Sequence, residues 1–256
     1  MSYRLCDNCN TVKELKNLNL FSSTKEKWNT VPLQLPILGK REGSQEIEIN
    51  MGSKNANCLI YYWASKTMEN NLHIDKKNLY EESFNTGLMM LDNQGKCLIN
   101  INCPQPYKEK GISYMNHLHI LVSDKKITRW KKNISTQNVL CKINKKNLKH
   151  HMKLDDRVII NALSKEYYDQ MKIPKSFQLY YKDAKKMTAL QIKNSVKKMV
   201  SQHKCIQRIM KANDLQLTEV PIIVYCYDKE CDAGHHLANE LFRAGFTNVI
   251  ASSLTV

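Results

Sequence analysis

Two cysteines near the end of the chain, Cys226 and Cys231, stand five positions apart in VPIIVYCYDKECDAGHHLANELF. A thiolate is the nucleophile of sulfur chemistry, and a second thiol in the same short loop can resolve what the first picks up. The pair suits sulfur transfer through a persulfide on Cys226, or a dithiol–disulfide cycle. A second group with chemical reach is Asn116-His117-Leu118-His119, with Tyr107 ten positions before His117. Side chains on a strand repeat every second residue, so His117 and His119 share a face and can chelate iron, zinc or copper. Cys6 and Cys9 form a lone CxxC, half of the ligand set that zinc takes.

These groups need elements to hold them. PIIVYC (221–226) is a near-continuous β run, as expected of a central parallel strand buried on both faces. ECDAGHHLANELFRAGF reads as a helix with Leu237, Leu241 and Phe242 inward and Gly245 at its C-terminal cap, followed by a last strand, TNVIAS. Cys226 thus heads a strand–loop–helix junction, where ligand sites of parallel α/β sheets lie. Loop amides and the helix dipole there favour a thiolate. Upstream, RVIINAL (157–163) reads as a strand and SKEYYDQM as a short helix with Ser164 as N-cap. Residues 187–215 carry a long helical pattern, one helix or two, capped by Thr188, with Leu190, Val196, Val200, Ile206, Ile209 and Met210 as the apolar face.

The first half is β-rich. NCLIYYWAS (57–65) is a buried strand by composition, and 86–107 reads as strand, turn, strand, with Gly95 where a positive φ is needed. NHLHILVSD (116–124) is another strand, and 126–143 a further strand or hairpin. Short strands without long helices argue for a β-sandwich or an open barrel, with an antiparallel sandwich the form expected. The polar, basic stretch 141–156 reads as the boundary, dividing the chain into a sandwich domain over 1–148 and an α/β domain over 149–256. Residues 1–50 form a less readable extension, with VPLQLPILG (31–39) suited to an edge or connector.

Residues 150–256 resemble a rhodanese-like domain. Tyr225-Cys226 ends the strand, a loop runs from 226 to 231, and Gly245-Phe246-Thr247-Asn248-Val249 matches the family's "GF-x-NV" strand. Ile173-Pro174-Lys175-Ser176 stands for the family's Ile-Pro-Gly-Ala, and Tyr168 for the aromatic residue before it. The resemblance implies a three-layer parallel α/β fold with Cys226 as nucleophile. It also implies that the amides of 227–231, with Tyr227, Asp228, Lys229 and Glu230, cradle the transferred sulfur or substrate anion. Asn161 replaces the usual Asp, Lys172 the usual His, and Cys231 the arginine that holds an anionic donor. Asp228, Glu230 and Asp232 surround the thiol, opposed only by Lys229; carboxylates so close repel thiosulfate. The donor expected is therefore a protein or small thiol persulfide, with Cys231 resolving. Residues 87–122 are similar to intradiol ring-cleaving dioxygenases, in a "D-x-x-G" turn, a "P-x-x-Y" corner and "H-x-H". That similarity implies iron, or zinc, at Tyr107, His117 and His119; Tyr80, Tyr61 and Tyr62 are the candidates for the family's second tyrosine.

Charge and composition set the wider limits. The net charge is +15, and residues 101–200 alone hold 22 Lys/Arg against 7 Asp/Glu. That block suits nucleic acid, another anionic partner or an acidic protein, and equally a solvated lysine-rich surface. With 42% hydrophobic and 25% charged residues and no apolar run long enough to span a bilayer, no membrane segment is expected. The start, MSYRLCDNCN, has no signal h-region, so the nine cysteines are expected as reduced thiols in the cytoplasm. The composition and this domain pairing also resemble proteins of large cytoplasmic DNA viruses. That resemblance supplies the alternative: a non-catalytic structural or interaction protein, such as a virion component in a larger assembly, on a rhodanese fold with eroded chemistry. An iron dioxygenase is a third reading. No cofactor is required by the first.

Overall fold

The computed structural model describes residues 43–68, 74–75, 79, 85–227 and 231–253. The proline-bearing segment 31–39, Cys6, Cys9, Tyr80 and the loop residues Asp228, Lys229 and Glu230 lie outside the described residues. Two compact units form. One takes the described residues before 70, those from 75 to 109, and Asn116–Val139; the other takes Lys110–Met115 and the chain from Leu140 on.

In the first unit the strands are β1 (Gln45–Asn50), β2 (Leu59–Ala64), β4 (Thr86–Met90), β5 (Lys96–Ile101), a short β6 (Tyr107–Glu109), β8 (His117–Ser123) and β9 (Trp130–Asn138), while the two-residue β3 (Ile74–Asp75) has one residue assigned to each unit. A short β7 (Ile112–Tyr114) belongs to the second unit. Four of them make an antiparallel sheet in the order β4-β2-β8-β9, and β1 pairs with β5 in a second, two-stranded sheet. The aromatic run LIYYWA becomes the central β2 because both of its faces are buried. Tyr61 and Trp63 stack at 5.4 Å and pack with Leu121 and Trp130 on one face. Ile60 and Tyr62, opposite Val122 and Ile120 in register, lie on the other. The 92–95 turn does not close a hairpin. It carries the chain from the four-stranded sheet to the two-stranded one, since β4 pairs with β2 and β5 with β1.

In the second unit a five-stranded, wholly parallel sheet runs β10-β14-β13-β11-β12. Its strands are β10 (Lys142–Ile143), β11 (Val158–Asn161), β12 (Phe177–Gln178), β13 (Ile222–Cys226) and β14 (Val249–Ser253). The helices are α1 (Lys145–Leu154), α2 (Lys165–Met171), a single turn α3 (Tyr181–Ala184), α4 (Ala189–Ser201), α5 (Lys204–Ala212) and α6 (Ala233–Arg243). Alternation puts Val158, Ile160, Ile222, Val224 and Cys226 in one core cluster with Ile192 and Val196 of α4, Ile206 of α5 and Leu237 and Leu241 of α6. The chain is thus β followed by α/β, with antiparallel sheets first and a parallel sheet with helices second.

Several expectations are corrected. The units divide after Val139, beside the expected 141–156 boundary, but that stretch has structure of its own: edge strand β10 and helix α1, which is anchored by the buried Leu148 and capped by the Asn144 side chain accepting from Asn147 N. Of the strand or hairpin expected over 126–143, the strand is found, as β9, and β10 follows it. Leu190 is 66% exposed. Its side chain sits about 200° around the helix from Ile192, which starts the buried stripe continued by Val196 and Met199. Cys103 and Cys141 each take part in a disulfide bond, against the expectation of reduced thiols throughout. Thr188 does cap α4, in a reciprocal capping box with Gln191. Arg157, ahead of β11, is fully buried; burial pulls its guanidinium down to about 10, opposed by the charge of Asp156.

Asp155 ties three segments of this unit together. It ends α1 in the left-handed conformation (φ 54°), with its N–H on His151 O. Its carboxylate meets Lys175 Nζ at 3.1 Å and His203 Nε2 at 3.5 Å. His203 Nδ1 accepts from Ile206 N, so Nε2 carries the proton that faces Asp155. Burial works against the charge, yet the hydrogen bonds from Lys175 and Cys205 and the charges of His203 and Lys175 outweigh it and hold the carboxyl below its ordinary range. A depressed folded pKa contributes stability that is present above the unfolded value, near 4, and is lost as pH falls through the folded value. Asp155→Asn is therefore expected to cost about 1 kcal/mol at neutral pH and to flatten the acid limb of stability below about pH 4. Urea unfolding of wild type and variant at pH 7 and pH 3 checks it: an equal loss at both would refute the ionic part.

Candidate thiol site

The carboxyl end of β13 is fixed from both sides. Tyr225 faces away from the core cluster of Cys226; its hydroxyl accepts from Ile173 N at 3.1 Å and pairs with Ser176 Oγ at 2.9 Å. Ser176 O in turn accepts from the Tyr168 hydroxyl at 2.6 Å. The 173–176 turn is thereby pinned to the strand that carries the thiol. Within it Lys175 takes φ 64°, the left-handed region where glycine is free and lysine is not.

Cys226 points to the opposite face, against Ala233 and Leu237 of α6, and is 3% exposed. Its Sγ–H donates to Cys231 O at 2.9 Å. Cys231 is half-buried on the same cluster, so both sequence-selected cysteines come together at the head of α6. A Cβ on Gly234, in the first turn of that helix, would sit 3.5 Å from Cys226 Sγ. The thiol thus lies against helix backbone where nothing but hydrogen occupies position 234, in the positive end of an eleven-residue helix. Tyr227 is 48% exposed beside it.

Two neighbours were not singled out by the sequence. His236 stacks on Tyr181 of α3 at 5.5 Å and 17°. His235 is held below its ordinary range by burial first, then by the charges of Lys142 and His236, with only Asp232 opposing. The signal for them is Ala233-Gly234-His235-His236, two small residues then two imidazoles at a helix start, and it is legible only once the thiol is known to pack there.

The first unit gathers the other selected group. Tyr107, His117 and His119 are all buried. Tyr107 Oη lies 3.3 Å from His117 Nε2, and the two imidazoles meet edge to face at 4.8 Å. His119 stacks on Trp63 at 5.1 Å and has Nδ1 3.4 Å from Thr136 Oγ1. Tyr61 is stacked on Trp63, and the Tyr62 hydroxyl lies over Gly87. Among the described residues no group of three or more His, Cys, Asp and Glu is arranged to hold a metal, and no helix is long and apolar enough to cross a membrane.

No protein-family model matches the chain, and a search of curated proteins finds no match. Among solved structures, a single-domain sulfurtransferase of Saccharomyces cerevisiae is similar over 47% of this chain and 88% of its own, at 7% identity and a TM-score of 0.32.

Proposed function

We propose that the second unit is a rhodanese-like sulfurtransferase or thiol/persulfide redox protein with Cys226 as its nucleophile. The observation that carries this reading is the seat of Cys226 Sγ: at the end of a central parallel strand, against side-chain-free Gly234 in the first turn of α6, with Cys231 in contact. The positive φ of Lys175, where the resembled family has glycine, supports the same fold reading. In the proposed step the Cys226 thiolate attacks the outer sulfur of a donor persulfide, R–S–SH. The donor S–S bond breaks, its electron pair leaves with R–S⁻, and Cys226 holds S–SH; nothing is oxidised or reduced overall. Loss of the Cys226 proton ends its hydrogen bond to Cys231 O and frees that residue. The Cys231 thiolate then attacks the Cys226 sulfur, expels hydrosulfide and leaves a Cys226–Cys231 disulfide, which a dithiol reductant returns to two thiols.

The basic residues 101–200 would dock an acidic donor or acceptor protein. Lys145, Lys149 and Lys153 lie one turn apart on α1, all exposed and without an ion pair among the described residues. The test is reaction of the whole chain with glutathione persulfide, followed by peptide mass spectrometry. The expected result is one added sulfur on the peptide holding Cys226. Modification confined to other thiols ends the proposal and leaves the scaffold reading, favoured by the 3% exposure of Cys226, for example as a virion component.

One distance favours a separate reading of the first unit. Two ligands at about 2.0–2.1 Å from a tetrahedral metal lie about 3.3 Å apart. That is the Tyr107 Oη–His117 Nε2 separation, so a phenolate and an imidazole nitrogen already stand at ligand spacing, with His119 beside them. These three would hold iron or zinc, and the metal would supply Lewis acidity. Elemental analysis of chelator-free protein is expected to find about one metal per chain, lost in His117→Ala. Metal-free protein with an unchanged melting temperature on added zinc or iron would sink this.

A further inference from the structure

A cavity of about 590 Å³ opens between the 3₁₀ turn Ser53–Asn55 and the β8–β9 side of the four-stranded sheet. That volume falls within the range of small-molecule sites, about 300–1,000 Å³. Strand alternation explains its lining. Lys131, Asn133, Ser135 and Gln137 are every second residue of β9, and all four line the cavity. Ile134, on the other face of β9, packs with the aromatic cluster. On neighbouring β8 the same face carries Ile120 and Val122, both buried, which form an apolar floor. The layer of aliphatic residues therefore stops at β9 and is replaced by one ammonium, two amides and a hydroxyl facing a hollow.

One cation in that hollow is held in place. Asn55 is buried; its Nδ2 donates to Met51 O at 2.5 Å, which leaves Oδ1 to accept from Lys131 Nζ at 2.6 Å. Lys131 thus has one N–H fixed by a wall amide and two left for a ligand. Lys54 adds a second ammonium at the rim. Among the described residues no carboxylate lines the cavity. The nearest acid on β1, Glu48, gives its backbone oxygen to Gln137 Nε2 at 3.0 Å and its carboxylate to Lys96 at 3.8 Å. Gln137 Oε1, the Asn133 amide and Ser135 Oγ are suited to hydroxyl groups. Among the described residues no aromatic ring lines the site, so they offer a nucleobase nothing to stack on.

We propose that this cavity binds a small polyhydroxylated anion of the sugar-phosphate class, with the phosphate on Lys131 and Lys54 and the hydroxyls along β9. The site is in the first unit and does not depend on the Cys226 chemistry. The experiment titrates ribose 5-phosphate, ribose and inorganic phosphate into the whole chain at constant ionic strength, read by amide chemical shifts. Saturable shifts confined to β8, β9 and residues 50–55 are expected with ribose 5-phosphate, binding at least tenfold tighter than either fragment. Lys131→Met should weaken it about tenfold or more, and Lys54→Met, at an exposed residue without a partner that folding needs, should weaken it several-fold. Lys185→Met in the second unit should change nothing. Absence of saturable shifts overturns the site. Equal binding by inorganic phosphate overturns the hydroxyl-reading part, and equal binding by ribose, or undiminished binding in both lysine variants, overturns the anion part.

Discussion

Cys226→Ser is expected to abolish sulfur uptake outright, with no persulfide left on any peptide at the level wild type gives on Cys226. Serine oxygen is no acceptor of sulfane sulfur, so the whole of the activity goes with the thiol and not a fraction of it. Two of the other thiols add little background, each for a physical reason. Cys97 is pushed up to about 11 by burial, with the charge of Asp92 adding to it, so at pH 8 it is almost wholly protonated. Cys58 is fully buried. Cys231→Ser separates the two roles. If Cys231 resolves, the variant still takes up sulfur and holds it, so the Cys226 persulfide accumulates several-fold over wild type. A Cys231→Ser protein with wild-type persulfide levels and wild-type hydrosulfide release would remove the resolving role while leaving the nucleophile in place. Gly234→Ala gives a third readout. Alanine is the better helix residue by about 1 kcal/mol, and its Cβ would lie in ordinary contact with Sγ, so the fold should gain stability. The same methyl crowds the space a second sulfur needs, so uptake should fall.

Legibility from sequence followed the strength of the local signal. β2 and β13 were readable because a strand buried on both faces leaves no choice but a dense run of aliphatic or aromatic residues, as in LIYYWA and IIVYC. The α4 start was readable because Thr188 and Gln191 satisfy each other's backbone donors. By contrast α1, KKNLKHHMKL, buries one residue, Leu148, among basic and polar ones, so it offers no apolar stripe and reads as a polar boundary. β10 is two residues at a sheet edge, too short for any period. The two cysteines of the site were legible from their place between a strand and a helix and from the loop the family resemblance supplies, but Gly234, Tyr181 and His236 were not. Their part depends on the angle at which α6 meets β13, which tertiary packing sets. Likewise nothing in the turn at 92–95 says that its two strands go to different sheets; that follows from β1 competing for β5.

The 92–95 turn also gives the largest stability effect expected. Gly95→Ala should destabilise the first unit by about 3 kcal/mol, the sum of two independent costs. The first is conformational: Gly95 has φ 78°, and an alanine held there costs about 1–2 kcal/mol. The second is steric. A Cβ at 95 would lie 2.1 Å from Gly52 O and 2.6 Å from Gly52 C, and both are backbone atoms that cannot rotate aside. They are held because Met51 N donates to Gly95 O at 2.9 Å, tying the end of β1 to this turn, while Asp92 Oδ1 accepts from Gln94 N and Lys96 N, each at 2.8 Å. Relieving the overlap means parting β1 from β5, and overpacking of this kind costs about 1–3 kcal/mol. Gly95→Asn separates the two causes, since asparagine tolerates the left-handed region but brings the same Cβ. If conformation alone mattered, asparagine would recover most of the loss. Because the Cβ of asparagine meets Gly52 in the same way, the expected result is that it recovers only about 1 kcal/mol. Because Asn50 and Met51 line the β8–β9 cavity from the strand end that Gly95 holds, the alanine variant should also weaken sugar-phosphate binding there, while sulfur uptake on Cys226 stays at its wild-type level wherever the second unit remains folded.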